Sequence, residues 1–221
     1  VALAAAGMVT LPSLLHAEEQ LSPISTALSS TIISGYVNTS AQWNPGTGNA
    51  HSPFIPFNAG KEDGFNLDVV KLTIERPLDE AQWSAGYKVD LLFGPDANSL
   101  ATQSSLATGR GDFGIKQAYV NVKAPVGNGI DFKLGVWDAI MGYEVFDAGN
   151  NPNYTRSYGY WLEPVTHTGL LASYQINRML TVAAGVANNI GPQINQRAFP
   201  DKAESYKRYM GLVTFTPPEN F

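Results

Sequence analysis

Few residues in this chain have the types and spacing that catalysis or metal binding requires. The chain of 221 residues contains three histidines and no cysteine. Glu163 and His167 cannot share a helical metal site, because Pro164 stands between them and interrupts a helix. The sequence contains no nucleophile elbow, phosphate loop or zinc signature. It therefore predicts no catalytic residue, no metal site and no cofactor, and a hydrolase using His167 with a nearby serine is the enzymatic alternative.

The composition also limits the class of partner. The formal net charge is −5, without the basic stripe that neutralising phosphates would require, so nucleic acid is excluded as a partner. Charged residues make up 15% of the chain, against the roughly 25% usual in soluble domains. The sequence has no apolar run of about 18 residues, so a membrane-spanning form would have to use strands.

Polar and apolar residues alternate with period two, which is typical of strands with one polar and one apolar face. The alternation is clearest at about 82–93, and in the second segment it changes phase at Val69 and Val70, which predicts a β-bulge. Each segment has about 9 to 13 residues, close to the 9 to 11 that a tilted strand needs to cross a bilayer. The eight predicted strands cover about 32–43, 65–76, 82–93, 114–124, 130–137, 167–176, 179–187 and 205–216.

The connections between these segments alternate strictly between long and short. The long ones have about 17 to 30 residues and the short ones about two to five, as in transmembrane barrels, where short periplasmic turns alternate with long extracellular loops. A β-sandwich has no reason to sort its loops in this way, because both of its ends face water. The fold class predicted is therefore all-β, an antiparallel up-and-down transmembrane β-barrel, incomplete here, with about eight strands.

The two ends of the sequence carry their own signals. Residues 1–17, VALAAAGMVTLPSLLHA, have the apolar stretch and small-residue cleavage site of a signal peptide remnant, the alternative being an N-terminal helix of a soluble domain. Phe221 follows Pro217 and Pro218, which do not form the body of a strand, so we interpret it as a truncation point. The predicted organisation is a signal remnant followed by 18–221 as the N-terminal part of one barrel domain.

Residues 114–175 read GIKQAYVNVKAPVGNGIDFKLGVWDAIMGYEVFDAGNNPNYTRSYGYWLEPVTHTGLLASYQ. The strand–turn–strand QAYVNVKAPVGNGIDFKLGVW, the following IMGYE, the loop rich in Asn and Tyr, and the step from Pro164 into TGLLASYQ are similar to the OmpL-like group of outer-membrane β-barrel porins. The similarity extends loosely over residues 31–216. The resemblance implies a water-filled barrel for the passive passage of small solutes and a chain longer than this one.

A pore needs polar side chains that face its lumen, since permeating solutes exchange part of their hydration for them. Their mixed signs predict weak ion selectivity, and the alternative for any single residue is a cross-strand salt bridge. The pore-lining candidates are Lys71, Glu75, Lys88, Asp90, Asn121, Lys123, Asp131, Lys133, His167, Gln175 and Arg208.

The longest predicted connection, 138–166, combines carboxylates and an arginine with aromatic residues. In a porin such a loop can fold inward and narrow the channel, and its aromatic residues could also stack on sugars. An external loop packed on its own aromatic residues is the alternative. The constriction-loop candidates are Glu144, Asp147, Tyr154, Arg156 and Tyr158.

The function expected is that of an outer-membrane porin in a Gram-negative bacterium, a passive diffusion channel for small hydrophilic solutes. Its partners would be outer-membrane lipid and those solutes, and the class is compatible with a homo-oligomer, although no subunit interface is evident in the sequence. The alternatives are a non-conducting surface barrel whose loops bind a ligand or partner, and a soluble secreted β-sandwich that binds carbohydrate.

Overall fold

The alternating segments pair edge to edge into one antiparallel sheet. The computed structural model describes residues 30–43, 45, 61, 64–81, 83–100, 111–188, 191–197 and 206–218. The strands are β1 (Ile32–Gln42), β2 (Gly64–Arg76), β3 (Ser84–Phe93), β4 (Phe113–Ala124), β5 (Ile130–Asp138), β6 (Thr166–Gln175), β7 (Leu180–Ala187) and β8 (Arg208–Phe215).

The strands follow one another across the sheet in the order of the sequence. Each pairs antiparallel with its sequence neighbours, and within the described residues β1 pairs only with β2 and β8 only with β7. The prediction of an up-and-down antiparallel β-fold is confirmed, with an open eight-stranded sheet in the described part of the chain. The predicted signal segment, 1–17, lies outside the described residues.

The two faces of the sheet differ in chemistry. We call the face that carries Lys71, Asp90 and Lys133 the inner face, because the longest loop folds over it. The opposite, outer face presents large apolar side chains that are exposed, and side chains of this kind outnumber the buried hydrophobic ones among the described residues. On the strands, the exposed large side chains of the outer face are Ile33, Val37, Phe65, Leu67, Phe93, Phe113, Val120, Val122, Leu134, Leu170, Tyr209, Val213 and Phe215.

Aromatic side chains pair on the outer face at the ends of the strands that lead into long loops. Trp43 and Phe65 are in edge-to-face contact, with ring centroids 5.1 Å apart. Phe93 and Phe113, on the next two strands, have centroids 5.3 Å apart. Aromatic girdles of this kind mark the membrane–water interfaces of transmembrane barrels.

Two bulges interrupt the alternation, one in β2 and one in β4. The β1–β2 register shifts between Asn38 and Thr39, where Asp68 is the extra residue of β2. The β3–β4 register shifts between Asp90 and Leu91, where Lys116 is the extra residue of β4. The first bulge confirms the one predicted from the phase change at Val69, and the second was not predicted. Each bulge adds a buried charged side chain to those on the inner face.

Short helices occur in two of the long connections. Helix α1 (Pro95–Ser99) follows β3, and helix α2 (Tyr158–Leu162) lies in the connection between β5 and β6. Gly94, at the start of α1, has a φ of 118°, and this left-handed conformation turns the chain back over the sheet. Within the part of the chain that the structure describes, no helix has the length and hydropathy needed to cross a bilayer.

If the outer face contacts lipid, a charged side chain placed on it should lower the free energy of unfolding by an amount that depends on its depth in the bilayer. Val120 lies directly opposite Leu134 on the outer face, and both side chains are more than half exposed. An arginine in place of Val120 should destabilise the folded protein by about 2 to 4 kcal/mol if it lies near the bilayer midplane, since lipid cannot solvate the guanidinium. Reversible denaturant unfolding in lipid vesicles, followed by tryptophan fluorescence, measures this free energy.

Val126→Arg is the matched control. Val126 is exposed to 58%, against 53% for Val120, but it lies in the short turn between β4 and β5. Its replacement should cost less than about 1 kcal/mol, as for other surface substitutions. Equal losses in the two variants would show that the outer face does not contact lipid.

Candidate functional site

The strand register places all eleven pore-lining candidates on the inner face. Directly paired residues share a face of a sheet, and successive pairs from Glu75 and Lys88 onward trace this face from β2 to β8. Two of the candidates, Asp90 and His167, are buried. The ring of His167 packs against that of Trp137 at a tilted angle, with the two centroids 5.2 Å apart.

Some of these candidates form the cross-strand salt bridges that the sequence left as an alternative. Lys88 and Glu75 lie opposite one another, with Nζ 3.1 Å from a carboxylate oxygen. The Nζ atom of Lys71 lies 3.4 Å from a carboxylate oxygen of Asp90. Thr73 and Gln117 donate hydrogen bonds to the same Asp90 carboxylate, at 2.6 and 2.8 Å. The buried charge of Asp90 is therefore compensated by donors from β2 and β4.

The connection between β5 and β6, residues 139–165, folds over the inner face and contacts three strands through Asp147. The Tyr36 hydroxyl of β1 donates to Asp147 at 2.6 Å, and Lys71 of β2 donates at 3.1 Å. Lys116 of β4 contributes an ammonium group 3.2 Å from the second carboxylate oxygen and also pairs with Asp138. One carboxylate thus joins the loop to β1, β2 and β4.

Asp147 is a buried carboxylate that its neighbours keep ionised. Burial by itself would raise the pKa of this carboxyl, but the ammonium groups of Lys116 and Lys71 and the Tyr36 hydrogen bond outweigh burial and lower the pKa to about 2. The carboxylate therefore stays ionised throughout the physiological pH range, and its ion pairs with it.

A second cluster lies near the β2 bulge. Lys61 is buried between two carboxylates. Its Nζ atom lies 2.7 Å from an oxygen of Asp68 and 2.6 Å from an oxygen of Asp96 in α1. Asp68 also accepts hydrogen bonds from Ser40 and from Tyr154 of the long loop. Burial raises the pKa of Asp96, against the opposing effect of the Lys61 ammonium. The cluster joins the β1–β2 wall to both inward-folded connections.

A small apolar core accompanies these ion pairs on the inner face. Ala97 and Leu100, within and just after α1, pack on Val69 of β2 and Leu92 of β3, and all four are buried. Phe146 of the long loop packs against the same group. The two connections are therefore held over the inner face by apolar contact as well as by charge.

The remaining constriction candidates organise the loop itself. Arg156 is buried, and its guanidinium donates hydrogen bonds to four backbone carbonyls of the loop, as helix or strand pairing does elsewhere. The carbonyls are those of Val145, Phe146, Asn153 and Tyr154. Glu144 accepts from the backbone and hydroxyl of Ser157, the residue that caps α2. Tyr158 is exposed to 69% and Tyr154 contacts Asp68, so the five candidates do not converge on one point.

A cavity of about 520 Å³ remains between the loop and the inner face of β1 to β3. One wall is the 3-10 turn Ala148–Asn150, directly after Asp147. The other is formed by strand residues that include Tyr36, Asn38 and the Glu75–Lys88 pair. Among the described residues, no group of three or more His, Asp or Glu side chains is placed to hold a metal ion.

Sequence reasoning missed several residues of this site. Asp68, Asp96, Lys61, Lys116 and Tyr36 were not among the candidates, although each holds a connection against the sheet. The spacing of Ile115 and Ala118, three residues apart on the outer face, was the one available signal for the bulge at Lys116. Contacts between residues distant in the sequence leave no comparable signal.

A single antiparallel sheet with an apolar outer face and a charged inner face defines the wall of a transmembrane β-barrel. The chain belongs to the family described as Putative beta-barrel porin-2, OmpL-like, whose model matches residues 30–221. No curated protein and no solved structure matches the chain.

The Asp147 contacts predict that a charge-removing substitution will release the loop. Asp147→Asn leaves Lys71 with Asp90 and Lys116 with Asp138, so the loss of loop docking should be about 1 to 3 kcal/mol. Arg156 is the one basic residue between 139 and 165, and trypsin can cleave after it only when the loop opens. The rate of that cleavage in the folded protein measures docking and should rise by about fivefold to 150-fold.

Asp79→Asn is the control for this cleavage assay. It makes the same chemical change in an exposed turn at the other end of the strands. Cleavage after Arg156 at the wild-type rate in both variants would contradict the role assigned to Asp147.

The pH dependence of docking follows from the same carboxyl. The pKa of Asp147 is lowered to about 2 in the folded protein, against about 3.9 for an unperturbed Asp. Its contribution is therefore complete above about pH 4 and is lost as the pH falls through about 2. Amide hydrogen exchange of residues 144–157, corrected for intrinsic rates, should show protection retained at pH 4 and lost near pH 2. Loss of protection between pH 5 and 6 would exclude Asp147 as the controlling group.

Proposed function

We propose that this protein is a narrow outer-membrane porin, a passive diffusion channel for small hydrophilic solutes in a Gram-negative bacterium. Export by the signal segment 1–17, followed by its cleavage, is part of this proposal. The observation that carries the proposal is the contrast between the two faces of the sheet, together with the cavity left between the inner face and the inward-folded loop.

The outer face supports contact with lipid. Its exposed valine, leucine, isoleucine and phenylalanine side chains would form a large apolar patch in water, whereas lipid solvates them without cost. The aromatic pairs Trp43–Phe65 and Phe93–Phe113 lie where this face meets the long loops, as expected of an interfacial girdle. A soluble carbohydrate-binding sandwich gains no support, since its apolar faces would be buried between two sheets.

The inner face supports a hydrated lumen. The candidates Asn121, Lys123, Asp131, Lys133, Gln175 and Arg208 lie on this face and are partly or fully exposed. They offer both donors and acceptors that can replace water around a passing solute. Passage of this kind requires no catalytic group, so we propose a transport role without a chemical step.

The constriction would be the turn Ala148–Asn150, held in place by Asp147. Solutes would pass through the cavity beside it, which limits the channel to small molecules. The mixed charges of the cavity wall, including the paired Glu75 and Lys88, favour weak selectivity between cations and anions.

The packed group of Val69, Leu92, Ala97 and Leu100 favours a second candidate, a non-conducting surface barrel. Together with the two ion clusters, this group fills space on the inner face that an open pore would leave to water. In that role the long loops would bind a ligand or partner.

Single-channel conductance in a planar bilayer distinguishes the two functions, and Gly149 provides a specific test of the route. A Cβ at Gly149 would meet no atom within 4 Å, so a tryptophan can be accommodated there and would project beside the cavity. Gly149→Trp should therefore lower the conductance of each open channel. Gly111→Trp is the matched control, since a Cβ at Gly111 also meets no atom within 4 Å and Gly111 does not line the cavity.

Discrete steps that shrink in Gly149→Trp and not in Gly111→Trp would support the channel and its route. Equal conductance in both variants would move the route away from the Ala148–Asn150 turn. A folded, inserted protein that conducts no current would favour the surface barrel.

A further inference from the structure

We propose that Lys133, on the inner face of β5, is the centre of a binding subsite for small oxyanions, either inorganic phosphate or carboxylates. The subsite rests on the proposed function in one respect, because solutes reach this part of the inner face through the lumen. It assigns a preferred solute chemistry to a wall that is otherwise of mixed charge.

Lys133 differs from four other lysines at the inner face, though not from Lys123, in having no carboxylate partner among the described residues. Lys61, Lys71, Lys88 and Lys116 each form an ion pair with at least one carboxylate. Among the described residues, no carboxylate lies at ion-pair distance from Lys133. Its ammonium instead lies over the ring of Tyr119, 5.0 Å from the centroid, a contact that leaves its hydrogen-bond donors free for a ligand.

The neighbours of Lys133 add a second cation and two positions without a side chain. Lys88 is the cross-strand partner of Tyr119, so a second lysine stands on the strand at the other side of this tyrosine. Gly135 and Gly86 are the cross-strand neighbours of Tyr119 and Asn121, and the adjacent backbone approaches both too closely for a Cβ. An anion at this point would have ammonium donors on both sides.

An unpartnered polar atom belongs to the cross-strand neighbour of the lysine and lies against Gly86 of β3. Asn121 is the cross-strand partner of Lys133, and its side-chain oxygen is buried without a hydrogen-bond partner among the described residues. The oxygen and nitrogen of an amide side chain are assigned from their hydrogen bonds, so a 180° rotation would present an N–H donor at the same point. Turned from Gly86 toward Lys133, this amide would donate to a bound oxyanion.

Two acids limit the charge of the subsite without neutralising it. Glu75 pairs with Lys88, and Asp131 lies opposite Lys123 on the adjacent pair of strands. Of the two, only Glu75 forms an ion pair within the described residues, and one carboxylate oxygen of Asp131 is buried without a hydrogen-bond partner there. Small anions of low charge therefore fit better than large polyanions, which would also meet the two carboxylates.

Phosphorus NMR tests the subsite independently of conduction. The full-length protein, refolded in detergent, should broaden the resonance of inorganic phosphate, and Lys133→Gln should weaken the affinity about tenfold, as expected for losing one charge-assisted hydrogen bond. Lys133→Arg keeps the charge and should retain binding. Lys207→Gln, at an exposed lysine just before β8, should leave binding unchanged.

Competition by acetate distinguishes the two sources of the oxyanion. If acetate displaces phosphate at similar concentration, the subsite accepts carboxylates, and if it does not, the subsite is specific for phosphate; both outcomes support an oxyanion site. Absence of broadening in the wild type, or equal broadening by wild type and Lys133→Gln, would overturn the proposal.

A current measurement separates this proposal from the channel function. Phosphate binding by a protein that conducts no current would keep the subsite and overturn the channel. Channels whose current in potassium chloride is unaffected by added phosphate, in wild type and Lys133→Gln alike, would keep the channel and overturn the subsite.

Discussion

The satisfaction of backbone hydrogen bonds in lipid is the constraint on which this structure depends. A backbone N–H or C=O in the hydrocarbon layer has no water to bond, so each must pair within the protein. The antiparallel ladder from β1 to β8 achieves this pairing for every interior strand. Because side chains of a strand alternate between faces, the same ladder separates an apolar outer face from a charged inner face. One backbone geometry therefore gives both the apolar face that meets lipid and the charged face opposite to it.

The two bulges show how the sheet places additional charge on the inner face. A regular strand can direct only every second residue inward, and Asp68 and Lys116 are the extra residues that the bulges insert. Both become members of the ion clusters that hold the connections over the sheet. The cost of burying these charges is offset because each contacts an opposite charge at hydrogen-bond distance. The local irregularity of the strands is therefore part of what positions the long loop.

The sequence predicted the strands closely and the site only in outline. Period-two alternation is local, so the bounds of all eight strands and the bulge at Asp68 could be derived from it. The inner-face positions of Lys133 and Asn121 followed from the same alternation. The Tyr36–Asp147 hydrogen bond joins residues 111 positions apart, and the Tyr154–Asp68 bond spans 86 positions. Such partners are chosen by the curvature of the sheet and the path of the loop, which no local pattern encodes.

Charged residues are distributed unevenly over the inner face, and this distribution affects how the proposed channel would work. Charged residues are concentrated on β2 to β5, where the long loop docks, whereas the inner face of β6 and β7 carries no Asp, Glu, Lys or Arg. Its residues are His167, Gly169, Leu171, Ser173, Gln175, Thr181, Ala183, Gly185 and Ala187. The loop is drawn to the charged side because its Asp147 finds two ammonium groups there. Solutes beside β6 and β7 would therefore meet neutral side chains, which we expect to bind them more weakly than the charged side does.

Lys133 lies at the border between these two regions, opposite Asn121 on one side and Leu171 on the other. A solute bound at this ammonium would lie next to a wall that offers little to hold it. Weak binding next to weakly interacting space satisfies the requirement that a channel attract a solute and still release it.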